Sequence, residues 1–249
     1  MKLQDKNTIV TGGASGFGAG IVARFLEEGA NVTIVDFDET AALAYMESLK
    51  SDRVHFEYAD LADGKSVAEL FDRLQARWSR LDVLVNNAGT THLPALLEDV
   101  SEKDFDKVFA VNSKSVYYTS KFAVPWMKQQ AAGAIVNIAS TAALSPRPHL
   151  TWYNASKGWL VTATKSMAIE LASESIRVNA ICPVAGETPL LASFMGSDTP
   201  ETREKFLSSI PLGQFSTPKD IAATALYLAS DEAAMITGVA LEVDGGRCI

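Results

Sequence analysis

Thr8-Ile9-Val10-Thr11-Gly12-Gly13-Ala14-Ser15-Gly16-Phe17-Gly18 decides how this chain folds. Thr8-Ile9-Val10 reads as a short buried strand. The glycines after it let the backbone turn tightly and let a bulky anion come close. From Gly16 to Glu28 the pattern turns helical, and a helix start offers unpaired N–H groups and a positive dipole end. Strand, glycine-rich turn and helix in that order predict a cradle for the pyrophosphate of a dinucleotide.

The next apolar run, Val32-Thr33-Ile34-Val35, ends at Asp36, eighteen residues after Gly18. A carboxylate there accepts hydrogen bonds from the hydroxyls of an adenosine ribose and repels a 2′-phosphate. Neither Phe37 nor Ser15 offers that phosphate a cation, so NAD is expected over NADP.

Outward from this unit, β-branched runs alternate with helical patterns. Strands are expected at Val54-His55-Phe56-Glu57, Val83-Leu84-Val85, Ala134-Ile135-Val136-Asn137-Ile138, Arg177-Val178-Asn179-Ala180-Ile181 and Ala240-Leu241-Glu242-Val243. Helices are expected at about 39–49, 65–78, 102–130, 151–173 and 218–229. Strands separated by such helices must pair in parallel, with crossovers on both faces. The reading is an α/β, doubly wound, Rossmann-like parallel sheet in a single domain over residues 1–249. Residues 183–211 look irregular and too long for an ordinary connection, which suggests a substrate lid over about 184–211.

The chain has 249 residues, 47% hydrophobic and 21% charged, with a formal net charge of −8. That is an ordinary globular composition. Its acidity and lack of a basic run argue against nucleic acid as a partner. Two distant thiols, Cys182 and Cys248, make no disulfide framework. No apolar run spans a membrane and no apolar leader starts the chain, so a cytoplasmic location is expected. No metal-ligand set is assigned.

Tyr153 and Lys157 stand four residues apart, on one face if the segment is helical. A neighbouring ammonium is expected to draw down a phenol pKa that otherwise lies near ~10. The pair then suits proton exchange with an alcohol oxygen.

Further elements align with these. Asp60-Leu61 follows the third strand and Asn86-Asn87-Ala88-Gly89 the fourth. Asn112 lies in the next helix, Ser140 just past the fifth strand, and Val243-Asp244-Gly245-Gly246 near the end. Together with Gly12, Gly16, Gly18, Tyr153 and Lys157, these resemble the short-chain dehydrogenase/reductase family over essentially the whole chain. The resemblance implies strand order 3-2-1-4-5-6-7, a homotetramer, and hydride transfer at a secondary alcohol or its ketone. It implies catalytic roles for Asn112, Ser140, Tyr153 and Lys157, with Asn112 holding a relay water. It implies cofactor contacts from Gly12, Ser15, Gly16, Phe17, Gly18, Asp36, Phe37, Asp60, Leu61, Asn87, Ala88, Gly89, Tyr153, Lys157, Pro183, Gly186 and Thr188.

Two departures stand out. Val184 follows Pro183 where the family usually has Gly, and the glycine appears at Gly186. A β-branched residue resists positive φ, so the backbone there is expected to differ. The family's acyl-carrier-protein reductases carry basic residues before the fifth strand; here the stretch is Gln129-Gln130-Ala131-Ala132-Gly133-Ala134. A small free substrate (sugar, polyol, cyclic alcohol or hydroxy acid) is therefore expected ahead of a carrier-bound 3-oxoacyl group. A non-catalytic NAD-sensing protein is the alternative of another class, and the retained Tyr153 and Lys157 argue against it. Segments 90–95, 141–152 and 184–195 are expected to border the reacting carbon. Substrate-pocket candidates are Thr91, Ser140, Arg147, His149, Trp152, Glu187 and Met195, with Trp152, Phe194 and Met195 as apolar wall or lid.

Overall fold

The computed structural model describes all 249 residues. Seven parallel strands form one sheet in the order β3-β2-β1-β4-β5-β6-β7. They are β1 (Asn7–Thr11), β2 (Asn31–Asp36), β3 (Val54–Tyr58), β4 (Val83–Asn86), β5 (Gly133–Ile138), β6 (Ile176–Pro183) and β7 (Ala240–Val243). The crossover helices are α1 (Gly16–Glu27), α2 (Glu39–Leu49), α3 (Gly64–Arg77), α4 (Glu102–Phe109), α5 (Ser115–Gln129), α6 (Thr151–Leu171) and α9 (Pro218–Ala229). No helix is long and apolar enough to cross a membrane.

Both faces of the sheet are buried, and the two-residue period of a strand sorts its side chains between them. Val10, Val32, Ile34, Val83 and Val85 pack with Ile21, Phe25, Ile221 and Leu226 of α1 and α9. Ile9, Val35, Leu84, Ile135 and Val178 face the other way, against Leu70, Phe71, Leu74 and Trp126 of α3 and α5. Each such buried side chain contributes about 1.5–3 kcal/mol. The carboxyl ends of β1, β2, β4, β5 and β6 are thereby fixed along one edge of a rigid sheet.

Two expectations change. The helix expected over 102–130 is interrupted: Ala110–Lys114 forms a π-helical turn between α4 and α5. Asn112 sits inside it, buried, and π turns concentrate at functional places. The stretch expected to be irregular holds two short helices, α7 (Leu191–Met195) and α8 (Pro200–Leu207). Thr199 caps α8 by accepting from the Thr202 N–H, and Pro200 occupies its first turn. That start signal was present in the sequence.

Candidate active site

A cavity of about 640 Å3 runs along the carboxyl edge of the sheet. Such an edge is where open α/β sheets hold ligands. Its floor is the glycine-rich turn. Gly12 has φ +61°, and a Cβ there would stand 2.9 Å from the Ala88 Cα. The Asn87 side-chain amide donates to the Thr11 and Gly12 carbonyls, both at 2.9 Å. The Thr11 hydroxyl accepts from the Asn87 and Ala88 N–H groups at 2.9 and 3.1 Å. The turn after β1 and the turn after β4 are thus one stitched unit. Gly18 lies beneath it, off the cavity wall: a Cβ would come within 2.0 Å of the Gly12 carbonyl oxygen.

The start of α1 is open to an anion. Side chains of Asp38, Asp63, Ser101, Thr199 and Thr217 cap α2, α3, α4, α8 and α9. The Ser15 side chain caps nothing, and the first turn of α1 holds no acidic residue. Unspent N–H groups over glycines fit a pyrophosphate. Asp36 lines the cavity from the end of β2, 8% exposed. Its carboxylate accepts from the Ala14 N–H at 3.2 Å and the Asp38 N–H at 3.1 Å. Phe37, Asp60 and Leu61 continue the wall beyond it. The residues present fit a dinucleotide.

At the other end stand Ser140, Tyr153 and Lys157. Ser140 follows β5 in extended backbone, and its hydroxyl accepts from the Ala142 N–H at 3.1 Å. Tyr153 and Lys157 project from successive turns of α6, and both are buried. The Lys157 ammonium donates to the Ile138 carbonyl at 2.8 Å. Burial pulls its pKa down to about 8. Burial raises the Tyr153 phenol, with the Ser140 hydroxyl acting the other way. The expected lowering by Lys157 is not what sets the Tyr153 phenol here. Desolvation of the phenolate dominates while the ammonium is turned to a carbonyl.

Asn112 is brought close but stays off the cavity wall. Its Oδ1 accepts from the Thr90 N–H at 2.8 Å. Its Nδ2 donates to the Thr90 carbonyl at 2.9 Å and to the Ser156 hydroxyl at 3.0 Å. That amide is spent on positioning Thr90 and α6, which leaves little of it for the expected water.

Pro183, Gly186 and Thr188 line the cavity opposite Gly16. Val184 causes no distortion: its φ is not positive, and its N–H donates to the Val243 carbonyl at 3.2 Å, prolonging the pairing of β6 with β7. Gly186 is needed for another reason, because a Cβ there would meet the Phe17 ring at 2.2 Å.

Of the substrate candidates only Ser140 lines the cavity. The Thr91 hydroxyl donates to the His92 carbonyl. The Arg147 guanidinium lies over the Phe206 ring, 4.4 Å from its centre. His149 turns outward at φ +65°, its carbonyl accepting from the Ala95 N–H. The Trp152 indole donates to the Leu97 carbonyl and meets Phe105 edge-on. Glu187 is exposed, and Met195 is buried with Val184, Leu191, Ile210 and Phe215. The wall is completed by Thr90, Leu191 and Phe194, which lie in the expected segments, and by Lys107 and Val111, which do not. Lys107 and Val111 are four apart, a helical spacing visible in the sequence. Phe194 covers Tyr153, the rings 5.5 Å apart and edge-on.

Residues 12–247 match the family described as enoyl-(acyl carrier protein) reductase. The chain is 45% identical to 4-formylbenzenesulfonate dehydrogenase of Comamonas testosteroni, covering 100% of each. The chain belongs to the short-chain dehydrogenase/reductase family. Another short-chain dehydrogenase/reductase relative is 3-oxoacyl-[acyl-carrier-protein] reductase of Thermotoga maritima, 38% identical over 100% of each chain. Among solved structures, 3-ketoacyl-(acyl-carrier-protein) reductase from Brucella melitensis complexed with NADH superposes with a TM-score of 0.94. It is 43% identical and covers 99% of this chain and 100% of that one.

Proposed function

We propose that this oxidoreductase transfers a hydride between NAD(H) and a secondary alcohol or ketone of a small polar or cyclic substrate. The observation that carries the reading is one cavity holding Ser140, Tyr153 and Lys157 at one end and Asp36 with the open start of α1 at the other. A relative solved with NADH supports the cofactor. The nicotinamide supplies the hydride chemistry when bound. The Gly12–Gly18 turn and the start of α1 hold the pyrophosphate, and Asp36 accepts from the adenosine ribose. Ser140 donates to the substrate oxygen. Tyr153 takes the alcohol proton, or returns one to the ketone oxygen. Lys157 leaves the Ile138 carbonyl to stabilise the phenolate and to bond the nicotinamide ribose. Asn112 holds Thr90 and Ser156 so that α6 presents the pair in register.

Phe194, Val184 and Leu191 make the reacting end apolar, which favours cyclic or aromatic substrates over sugars and polyols. The relative acting on 4-formylbenzenesulfonate supports an aromatic carbonyl in the set to be tested. A carrier-bound 3-oxoacyl substrate is the second reading, favoured by the ketoacyl reductase relatives. Against it, Lys128, the cation beside the stretch before β5, is paired with Glu174 at 3.3 Å.

The test is NADH formation and consumption at 340 nm across cyclic alcohols, aryl carbonyls, polyols, hydroxy acids and their ketones. Tyr153→Phe should keep NADH affinity within about twofold and lower kcat by about 10²–10⁴ or more, the usual reach of a positioned acid or base. Retained turnover in that variant would remove Tyr153 from the chemistry. No turnover by the unaltered chain on any member would favour the NAD-sensing alternative.

The same reading carries a homotetramer. Trp159 and Ile169 on α6, and Met235, Leu241 and Ile249 around β7, are apolar and exposed. Sedimentation equilibrium should give four chain masses; a monomer at micromolar concentration would refute it.

A further inference from the structure

Two arginines lack what every other arginine in the chain possesses. Of nine arginines, six pair with a carboxylate: Arg24, Arg53, Arg73, Arg77, Arg80 and Arg203. Arg177 donates to three backbone carbonyls, those of Leu228, Ser230 and Ile236. Arg147 and Arg247 have only a serine each. The Arg147 Nη2 donates to the Ser209 hydroxyl at 3.0 Å. The Arg247 Nη1 donates to the Ser145 hydroxyl at 2.8 Å.

Ser145 is two residues from Arg147, so the second contact brings Arg247 to the loop that carries the first guanidinium. The Nε of Arg247 is buried without any acceptor. Asp244, the acidic side chain nearest Arg247 in the sequence, pairs with neither arginine; its oxygens accept from the Gly246 and Cys248 N–H groups. Arg147 and Arg247 are both half-buried, so each has lost water, and Arg247 is near enough for its charge to act on Arg147. Burial, and then the charge of Arg247, pull the Arg147 pKa down to about 10.

We propose that Arg147 and Arg247 form an oxyanion-binding site, for a carboxylate, sulfonate or phosphate group. Guanidinium forks match such groups with paired, charge-assisted hydrogen bonds. An orphaned buried N–H and two uncompensated charges are what an oxyanion would satisfy. The site joins three segments: the loop before α6, the far end of the lid at Ser209, and the chain terminus. Phe206 and Phe194 separate it from Tyr153, so it is a second site beside the cavity. Two sources supply this chemistry: a free small oxyanion, or the terminal carboxylate of a second copy of this chain.

The probe is sulfate, titrated against chloride at constant ionic strength, read by calorimetry and by melting temperature. The full chain should show saturable binding. Arg147→Gln and Arg247→Gln should each weaken it by about tenfold or more, as loss of one charge-assisted partner does. Arg147→Lys, which keeps the charge and loses the fork, should fall between. NADH binding, measured on the same samples, should not change, which separates this site from the cofactor cavity and reports that the variants fold. A glycine tail added after Ile249 separates the sources. Unchanged sulfate affinity means a free oxyanion; tighter sulfate binding with weaker self-association means the terminal carboxylate of a second copy. The site is overturned by no saturable sulfate effect in either the full or the extended chain, and equally by an effect that both glutamine variants keep.

Discussion

Asp36 does two things with one carboxylate. It draws in the Ala14 and Asp38 N–H groups, which shapes the glycine-rich turn, and it faces the cavity as a fixed negative charge. Asp36→Ala removes the repulsion felt by a 2′-phosphate and the acceptors for ribose hydroxyls together. The ratio of kcat/KM for NAD over NADP should fall by about tenfold or more, equivalent to about 1.4 kcal/mol or more. An unchanged ratio would remove Asp36 as the discriminating residue. Its position was legible from strand end and spacing. Its hold on Ala14 was not, because a hydrogen bond across twenty-two residues depends on how the turn closes. Arg147 gives the opposite lesson. As a loop cation near Tyr153 it resembled a substrate contact, yet Phe206 intervenes.

At the scale of elements, the β1–α1 unit was read correctly because its information is local: β-branched residues, then glycines, then a helix start. Gly18 shows how tightly the unit is built. A Cβ at 2.0 Å from a backbone oxygen has no flexible neighbour to move aside. Gly18→Ala should destabilise the fold by about 1–3 kcal/mol, as overpacking does. It should also weaken NADH binding, because the Gly12 carbonyl must shift. Denaturant unfolding and an NADH titration check both; an unaltered midpoint would show that α1 slides freely. The π turn at Ala110–Lys114 escaped the reading, since hydrophobic periodicity tolerates one extra residue in a turn. The helices α7 and α8 escaped it because they have five and eight residues, too short for periodicity to register.

At the scale of the whole molecule, Lys157 links the site to stability. It is buried to 5% exposure, with its pKa about 8 against an ordinary 10.5. Between those values Lys157 holds its proton in the unfolded chain and has lost it in the folded one, so its own contribution to stability rises with pH from about 8 to 10.5. Below that window the cost of holding the charged form is constant, about 3 kcal/mol. The thiols of Cys182 and Cys248, raised by burial to about 12 and about 11, act the other way. Lys157→Met should therefore make the slope of unfolding free energy over pH 8, 9 and 10 less positive than in the unaltered chain. A slope unchanged in the variant would assign it elsewhere. The sign is opposite to that of an ammonium stabilised by a carboxylate, because a buried carbonyl only partly replaces lost water.

Residue order alone determined the alternation of strands and helices, the glycine-rich turn at the head of α1, the acidic end of β2 and the four-residue spacing of Tyr153 and Lys157. Each follows from contacts within a few residues or from side-chain periodicity. Tertiary structure alone decided the spending of the Asn112 amide on Thr90 and Ser156, the raised Tyr153 phenol, the edge-on packing of Phe194 against Tyr153 and the hydrogen bond from Arg247 to Ser145 beside Arg147. Those depend on burial and on approaches between distant segments. Desolvation and distance have no local signature in a sequence; they exist only once the chain has closed around them.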